Sequence, residues 1–178
     1  NEHYDRIYRL EGDDYAKLPP VIGTHLKERL PEVESLARLA GGWKNAEGWE
    51  PITYSPEDDP ENLKYAEANF FWADSTTFDV FTFPFIQGDP HSALKEPFTI
   101  VLTESTARKL FNNSNGMMKN VKLLGHEFRV TGVIRDVNDS HIEIDALISM
   151  ESLKKVYPHN DLNNTGVNSW LWSATYLL

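Results

Sequence analysis

The spacing of apolar positions changes from region to region along the chain, and the contrast is sharpest in residues 97–134. Phe98, Thr99, Ile100, Val101 and Leu102 form a run, apolar except for the threonine, that predicts a buried strand. An amphipathic helix follows. Thr103 is placed to cap its N-terminus, Glu104 falls in the first turn, and Arg108 and Lys109 fall near the last. That charge placement agrees with the helix dipole, and Glu104 stands four residues before Arg108, where the two can pair. Two β-rich runs joined by a short connection containing Gly125 complete a strand, helix, strand, strand unit. Caps, turns and solvent faces account for its polar residues, which predicts scaffold rather than chemistry.

The rest of the pattern is less regular. A short strand is predicted over 6–10, then a loop with Gly12, Asp13 and Asp14, then a helix from Pro19-Pro20 to Leu30, ended by Pro31. A strand follows over 33–40. Residues 41–61 hold glycines, prolines, Trp43, Trp49, Tyr54 and the acidic cluster Glu57, Asp58, Asp59, Glu61, and read as a loop or exposed hairpin. Residues 63–73 read as a strand or hairpin, followed by the aromatic block Phe78, Phe81, Phe83 and Phe85. A strand over 142–148, a helix over 149–157, an Asn-rich loop and a last strand over 170–178 repeat the strand, helix, strand run of the opening. Two βα units at the ends with a β-rich insert predict an α+β fold carrying a second lobe. No repeat is strict enough for a solenoid.

Composition narrows the classes of function. A chain of 178 residues suits one domain or two small interleaved ones. The net charge of −10, from 27 acidic against 17 basic residues, excludes a nucleic-acid partner and disfavours an anionic membrane surface. Cysteine is absent, so disulfides, thiolate zinc sites and thiol nucleophiles are excluded. No apolar run reaches the roughly 18 residues of a membrane span. Starting at Asn1 and ending in a strand-like segment, the chain reads as a soluble piece of a longer protein.

Candidate chemistry is thin. Asp139, Ser140 and His141 are the residue types of a hydrolytic triad, but sequence neighbours on one turn do not converge on a reacting atom, and a turn cap explains them better. His141, Glu143 and Asp145 alternate, so a strand would set them on one face, as metal ligands or, more simply, as a solvated polar face. The cluster at 57–61 lacks the spacing of a calcium loop and reads as a solvated acidic loop. The block from Phe70 to Phe85 reads as core or subdomain-interface packing. Trp43, Trp49 and Tyr54, in a polar loop, are the candidates for contact with a partner. Gly41 and Gly42 lack the spacing of a phosphate loop, so ATP hydrolysis is not expected here.

The order Val101-Leu102-Thr103-Glu104, Ala107, Lys109-Leu110-Phe111, Lys119 and Phe128-Arg129-Val130-Thr131-Gly132-Val133 resembles the MacB-like periplasmic core domain of FtsX-type ABC transporter permeases. Further blocks fit the same family. Upstream these are Asp5-Arg6-Ile7-Tyr8-Arg9, Leu30-Pro31-Glu32-Val33-Glu34 with Arg38, Ala73-Asp74, and Phe78 through Phe85 to Gly88-Asp89. Downstream they are Asn138, Ser140-His141-Ile142 and Asp145. Two positions depart from the pattern: Met118 stands where a glycine usually precedes the lysine, and Asn112 where a glycine often follows Leu-Phe. The turn geometry at both is left open.

The resemblance implies a Porter-like subdomain from 1–96 with 142–178 and a smaller Sabre-like subdomain from 97–141. It places the chain between the first two transmembrane helices of a permease, on the periplasmic face of the inner membrane. It implies a module that passes ATP-driven motion to a substrate or an envelope partner, with no catalytic residue, metal or cofactor of its own. The partners it implies are a cytoplasmic ABC ATPase and a second permease copy. The alternative is a free-standing periplasmic binding protein with a two-lobed ligand cleft. A weaker alternative is a hydrolase using His141 or His126 as base.

Overall fold

The computed structural model describes residues 3–12, 18–41, 50–112, 115–137, 142–158 and 173–178. The buried run that opens the best-patterned segment is strand β7 (Thr99–Thr103), every residue of which is buried. The helix after it, α3 (Glu104–Phe111), begins and ends as its sequence dictates. The Thr103 side chain accepts from the Thr106 amide at 3.4 Å, and Glu104 pairs with Arg108 one turn on. Thr106, Ala107, Leu110 and Phe111 recur at helical spacing and form the buried stripe. Strands β8 (Asn120–Leu123) and β9 (His126–Ile134) follow as an antiparallel pair. Leu124 (φ 52°) and Gly125 (φ 72°) make the two-residue turn between them, which requires positive φ at both positions.

The remaining elements join the same sheet. They are β1 (Tyr8–Leu10), α1 (Val21–Arg29), β2 (Leu36–Gly41), β3 (Ile52–Tyr54), β4 (Lys64–Ala66), β5 (Phe70–Ala73), α2 (Thr77–Val80) and β6 (Phe85–Gly88). After β9 come β10 (Ala146–Ser149), a 3-10 turn at Met150–Ser152, α4 (Leu153–Val156) and β11 (Ser173–Leu177). Among the described residues the strands run in the order β1-β11-β2-β5-β10-β7-β9-β8-β3-β4, with β6 paired to β9. The β5–β10 and β7–β9 pairs are parallel and the others antiparallel. The fold is thus α+β, a mixed sheet with few helices.

The central strands of the sheet are buried on both faces, which is why they read as continuous apolar runs rather than alternating ones. Ile100, Leu102, Phe128, Val130 and Ile148 pack on one face with Leu110, Phe111 and Leu153. Val101, Ile134, Leu147, Leu39 and Tyr176 pack on the other. Phe78, Phe81, Phe83 and Phe85 lie against that second cluster. Phe78 meets Phe85 edge-on at 4.9 Å and Phe81 meets Tyr176 at 4.9 Å, so the aromatic block is packing, as its sequence suggests.

Four expectations need correction. Residues 63–73 are not one unit: β4 pairs with β3 at one end of the sheet, and β5 pairs with β2 and β10 near the middle. The helix expected over 149–157 is a 3-10 turn followed by one turn of α-helix. The Ser152 side chain sits buried there and accepts from the Phe98 amide at 2.8 Å. The strand expected over 142–148 starts only at Ala146. The Asp145 carboxylate, expected on an open polar face, instead accepts from the Asn69 amide at 2.7 Å, while exposed Glu143 gives its carbonyl to the Asn69 side chain. His141 and the Asp139-Ser140 pair lie outside the described residues.

A charged clamp ties β2, β5 and α1 together. Arg38 Nε and Nη2 donate to the two Asp74 carboxylate oxygens at 2.8 and 2.7 Å, and the Arg38 amide donates to the same carboxylate at 2.8 Å. The third guanidinium nitrogen reaches the Pro20 carbonyl and the Thr24 hydroxyl, both at 3.3 Å. Burial alone would lower the pKa of Arg38, but the hydrogen bond and charge of Asp74, with Glu151 further off, raise it above its ordinary value. The arginine's contribution is therefore complete below its ordinary pKa and is lost only as pH rises through the folded one. Replacing Asp74 by alanine leaves a mostly buried guanidinium unpaired, which is expected to cost about 3 kcal/mol. A shift in the urea midpoint at constant slope measures it, and a loss under about 1 kcal/mol would class the pair with surface ion pairs.

Candidate contact surface

The end of the sheet formed by β8, β3 and β4 carries the candidate partner residue that is described. The β3–β4 hairpin pairs antiparallel, Thr53 facing Tyr65, and joins β8 through Thr53 and Lys122. Ile52 and Ala66 are buried beneath it. Tyr54, at the end of β3, is half-buried, and its ring meets Phe111 of α3 edge-on at 4.8 Å. The Lys119 ammonium lies 4.8 Å from the Phe111 ring centroid and 5.3 Å from that of Tyr54, a cation held against two aromatic faces. Tyr54 is therefore a positioned side chain with one face committed to packing. Trp43 and Trp49 lie outside the described residues.

A surface groove of about 660 Å³ opens beside this pair. Tyr54, Lys119 and Lys122 line it together with Glu57, Asp58 and Glu127, and Met117 and Met118 lie along it. Two residues of the acidic cluster, Glu57 and Asp58, thus share a groove with two lysines and Glu127, so its lining is mixed in charge. Residues 57–61 are exposed, and among the described residues no group of three or more histidine, aspartate or glutamate side chains is placed to hold a metal. His126 stacks on Phe98 at 5.6 Å. Among the basic lining residues only Lys119 was visible in sequence, as a member of a family block. Met117, Lys122 and Glu127 carried no signal, because what joins them is the approach of β3 to β8.

The two positions that depart from the family pattern flank this surface. Asn112 (φ 61°) ends α3 in the left-handed conformation, its amide donating to the Arg108 carbonyl at 2.9 Å, and Met118 has φ 64°. Both keep the backbone geometry that glycine adopts at no steric cost. Asparagine tolerates it well, whereas methionine does not.

With the geometry in place, comparison with known proteins gives one family. The model of the MacB-like periplasmic core domain matches residues 3–171, and the chain belongs to that family. No curated protein matches the chain. Among solved structures, a domain assigned to a permease protein of Porphyromonas gingivalis superposes with a TM-score of 0.75 at 24% identity, over 98% of this chain and 75% of that one. The extracellular domain of the ABC-type transporter YknZ from Gram-positive bacteria gives 0.60 at 15% identity, over 97% and 81%. The periplasmic region of MacB from Actinobacillus actinomycetemcomitans gives 0.59 at 18%, over 97% and 72%. The chain is a periplasmic domain of the MacB/FtsX-like class of ABC transporter permeases, which work with cytoplasmic ATPases. Among the described residues no helix is long and apolar enough to cross a membrane.

Met118→Gly is expected to stabilise the domain by about 0.5–1 kcal/mol, since its exposed side chain makes little packing and the left-handed strain disappears. An unchanged or lower urea midpoint would show that the side chain supports the groove.

Proposed function

We propose that the domain transmits ATP-driven motion of its permease to a substrate or an envelope partner, through the groove between β3 and β8. The observation that carries this reading is the single strand ladder that runs from β1 and β11, the first and last strands described, to β3 and β4. Nine spacings of roughly 4.8 Å make a path of about 43 Å along hydrogen-bonded backbone. A displacement applied at one end of such a ladder moves the other end with it. Covalent catalysis is no part of this role, and ATP hydrolysis belongs to the cytoplasmic partner. The smaller, Sabre-like subdomain would comprise 97–141, and the β3–β4 hairpin, which pairs with β8, would be carried with it. Tyr54 would form part of the partner contact beside the groove, with Trp43 and Trp49 as further contact candidates on the strength of their sequence alone. Membership of a permease-domain family favours this over a free-standing ligand-binding protein.

The permease would act as a dimer held by its membrane segments and ATPase, so the isolated domain is expected to be monomeric at micromolar concentration. A dimer mass in light scattering would contradict that. The motion itself is tested in the full-length permease with its ATPase, by spin labels on Tyr65→Cys of the exposed β4 edge. The distance between the two copies' labels is expected to differ between nucleotide-free and ATP-bound, hydrolysis-blocked states. An identical distance distribution in both would overturn motion transmission.

A further inference from the structure

Residues 115–119 lead into β8 and help to shape the groove. Met117, Met118 and Lys119 line it, and Lys119 lies against the rings of Tyr54 and Phe111. Two backbone hydrogen bonds fix the segment. The Met118 amide donates to the Val130 carbonyl at 2.8 Å, and the Lys119 amide donates to the Gly116 carbonyl at 3.2 Å. A Cβ at Gly116 would lie 2.5 Å from the buried Phe111 ring, so any side chain there would push that ring off Tyr54 and Lys119. Packing therefore demands glycine at 116. The residue before it, Asn115, is exposed, and it is the one asparagine of the chain that glycine follows. Among the described residues the Gly116 N–H makes no hydrogen bond, in contrast to those of Met118 and Lys119.

We propose that Asn115 is a site of spontaneous modification, converted through a cyclic imide with Gly116 into aspartate and isoaspartate. Asparagine is among the thermolabile residues, and glycine, having no side chain, offers the least hindrance to ring closure. The Gly116 nitrogen attacks Asn115 Cγ and gives up its proton. The new C–N bond closes a five-membered ring, and the side-chain nitrogen leaves as ammonia. Water then opens the ring at one of its two carbonyls, with no change of oxidation state. Attack at Cγ restores the main chain and gives aspartate; attack at the main-chain carbonyl leaves the chain running through Cβ and Cγ, as isoaspartate. Isoaspartate puts one extra carbon into the backbone directly before the turn from Gly116 to Lys119. Either product adds a negative charge three residues before Met118, near a groove that already holds Glu57, Asp58 and Glu127. The chemistry needs only water and does not depend on the transport role proposed above.

The test ages the full-length protein that contains this chain in warm neutral buffer. Trypsin cuts after Lys109 and Lys119, and the peptide of residues 110–119 is followed by tandem mass spectrometry. A synthetic peptide of the same residues is aged beside it. In the folded protein Asn115 is expected to lose its amide several-fold faster than Asn112 of the same peptide. The ageing protein is also expected to become a methyl acceptor for protein isoaspartyl methyltransferase, and Asn115→Gln to remove both changes. Conversion confined to the synthetic peptide would overturn the proposal, because the fold would then hold the Gly116 nitrogen away from Cγ. Aspartate without isoaspartate would overturn it in favour of direct hydrolysis of the side-chain amide. Methyl acceptance undiminished in Asn115→Gln would place the site elsewhere and overturn it as well.

Discussion

One inserted residue in β9 allows nine residues to hold three other strands. Along one edge β9 pairs in parallel with β7. Along the other it pairs antiparallel first with β8, over 126–129, and then with β6, over 132–134. The register against β7 passes from Ile100 opposite Val130 to Val101 opposite Gly132, so Thr131 is the extra residue of a β-bulge. Its hydroxyl donates to the Ala93 carbonyl at 2.5 Å, so the bulge is tied to the connection between β6 and β7. Immediately beyond it Gly132 faces Gly88, where a Cβ on Gly88 would lie 2.4 Å from the Thr131 carbonyl oxygen and one on Gly132 would lie 2.7 Å from the Phe85 ring. The bulge, the two glycines and the aromatic block are one device. It lets one strand pair with β6, beside the aromatic block, and with β8, beside the groove.

Local rules made part of this legible. Caps, charge placement and apolar stripe specified α3 to within its end residues, and the run 98–102 specified a strand buried on both faces. What periodicity does not carry is the choice of partner strand. The two halves of 63–73 look alike in sequence, yet one pairs at the edge of the sheet and the other near its middle, because that choice is made by β3, β2 and β10. Arg38 and Asp74 were each visible as family positions, but their pairing across two strands was not. At the contact surface Tyr54 stood out as an aromatic in a polar stretch. Its neighbours Phe111 and Lys119 belong to another part of the chain and are brought to it only by the fold. The departures at Asn112 and Met118 left the turns open, and the backbone kept its left-handed geometry at both.

The distribution of order across the molecule matches a part that moves as a body. Charges are satisfied internally where they are buried, as in the Arg38 and Asp74 clamp, and left on the rim of the surface groove. The core on each face of the sheet crosses many strands, so neither end can shift without carrying its neighbours. The cation held between Tyr54 and Phe111 extends this rigidity to the groove. A partner bound there, as proposed, would meet a surface already shaped, and little conformational freedom of the groove would be lost.

Among the described residues the sheet is open, and its terminal strands β1 and β4 are each three residues long. Unpaired strand edges invite other chains, and natural proteins limit the hazard by shortening them and placing charge there, as Arg9 and Lys64 do here. Edges this short offer too few hydrogen bonds to recruit a foreign strand. The domain should therefore tolerate the high local concentrations of a crowded envelope without polymerising edge to edge, even though a broad hydrogen-bonded sheet runs through it from end to end.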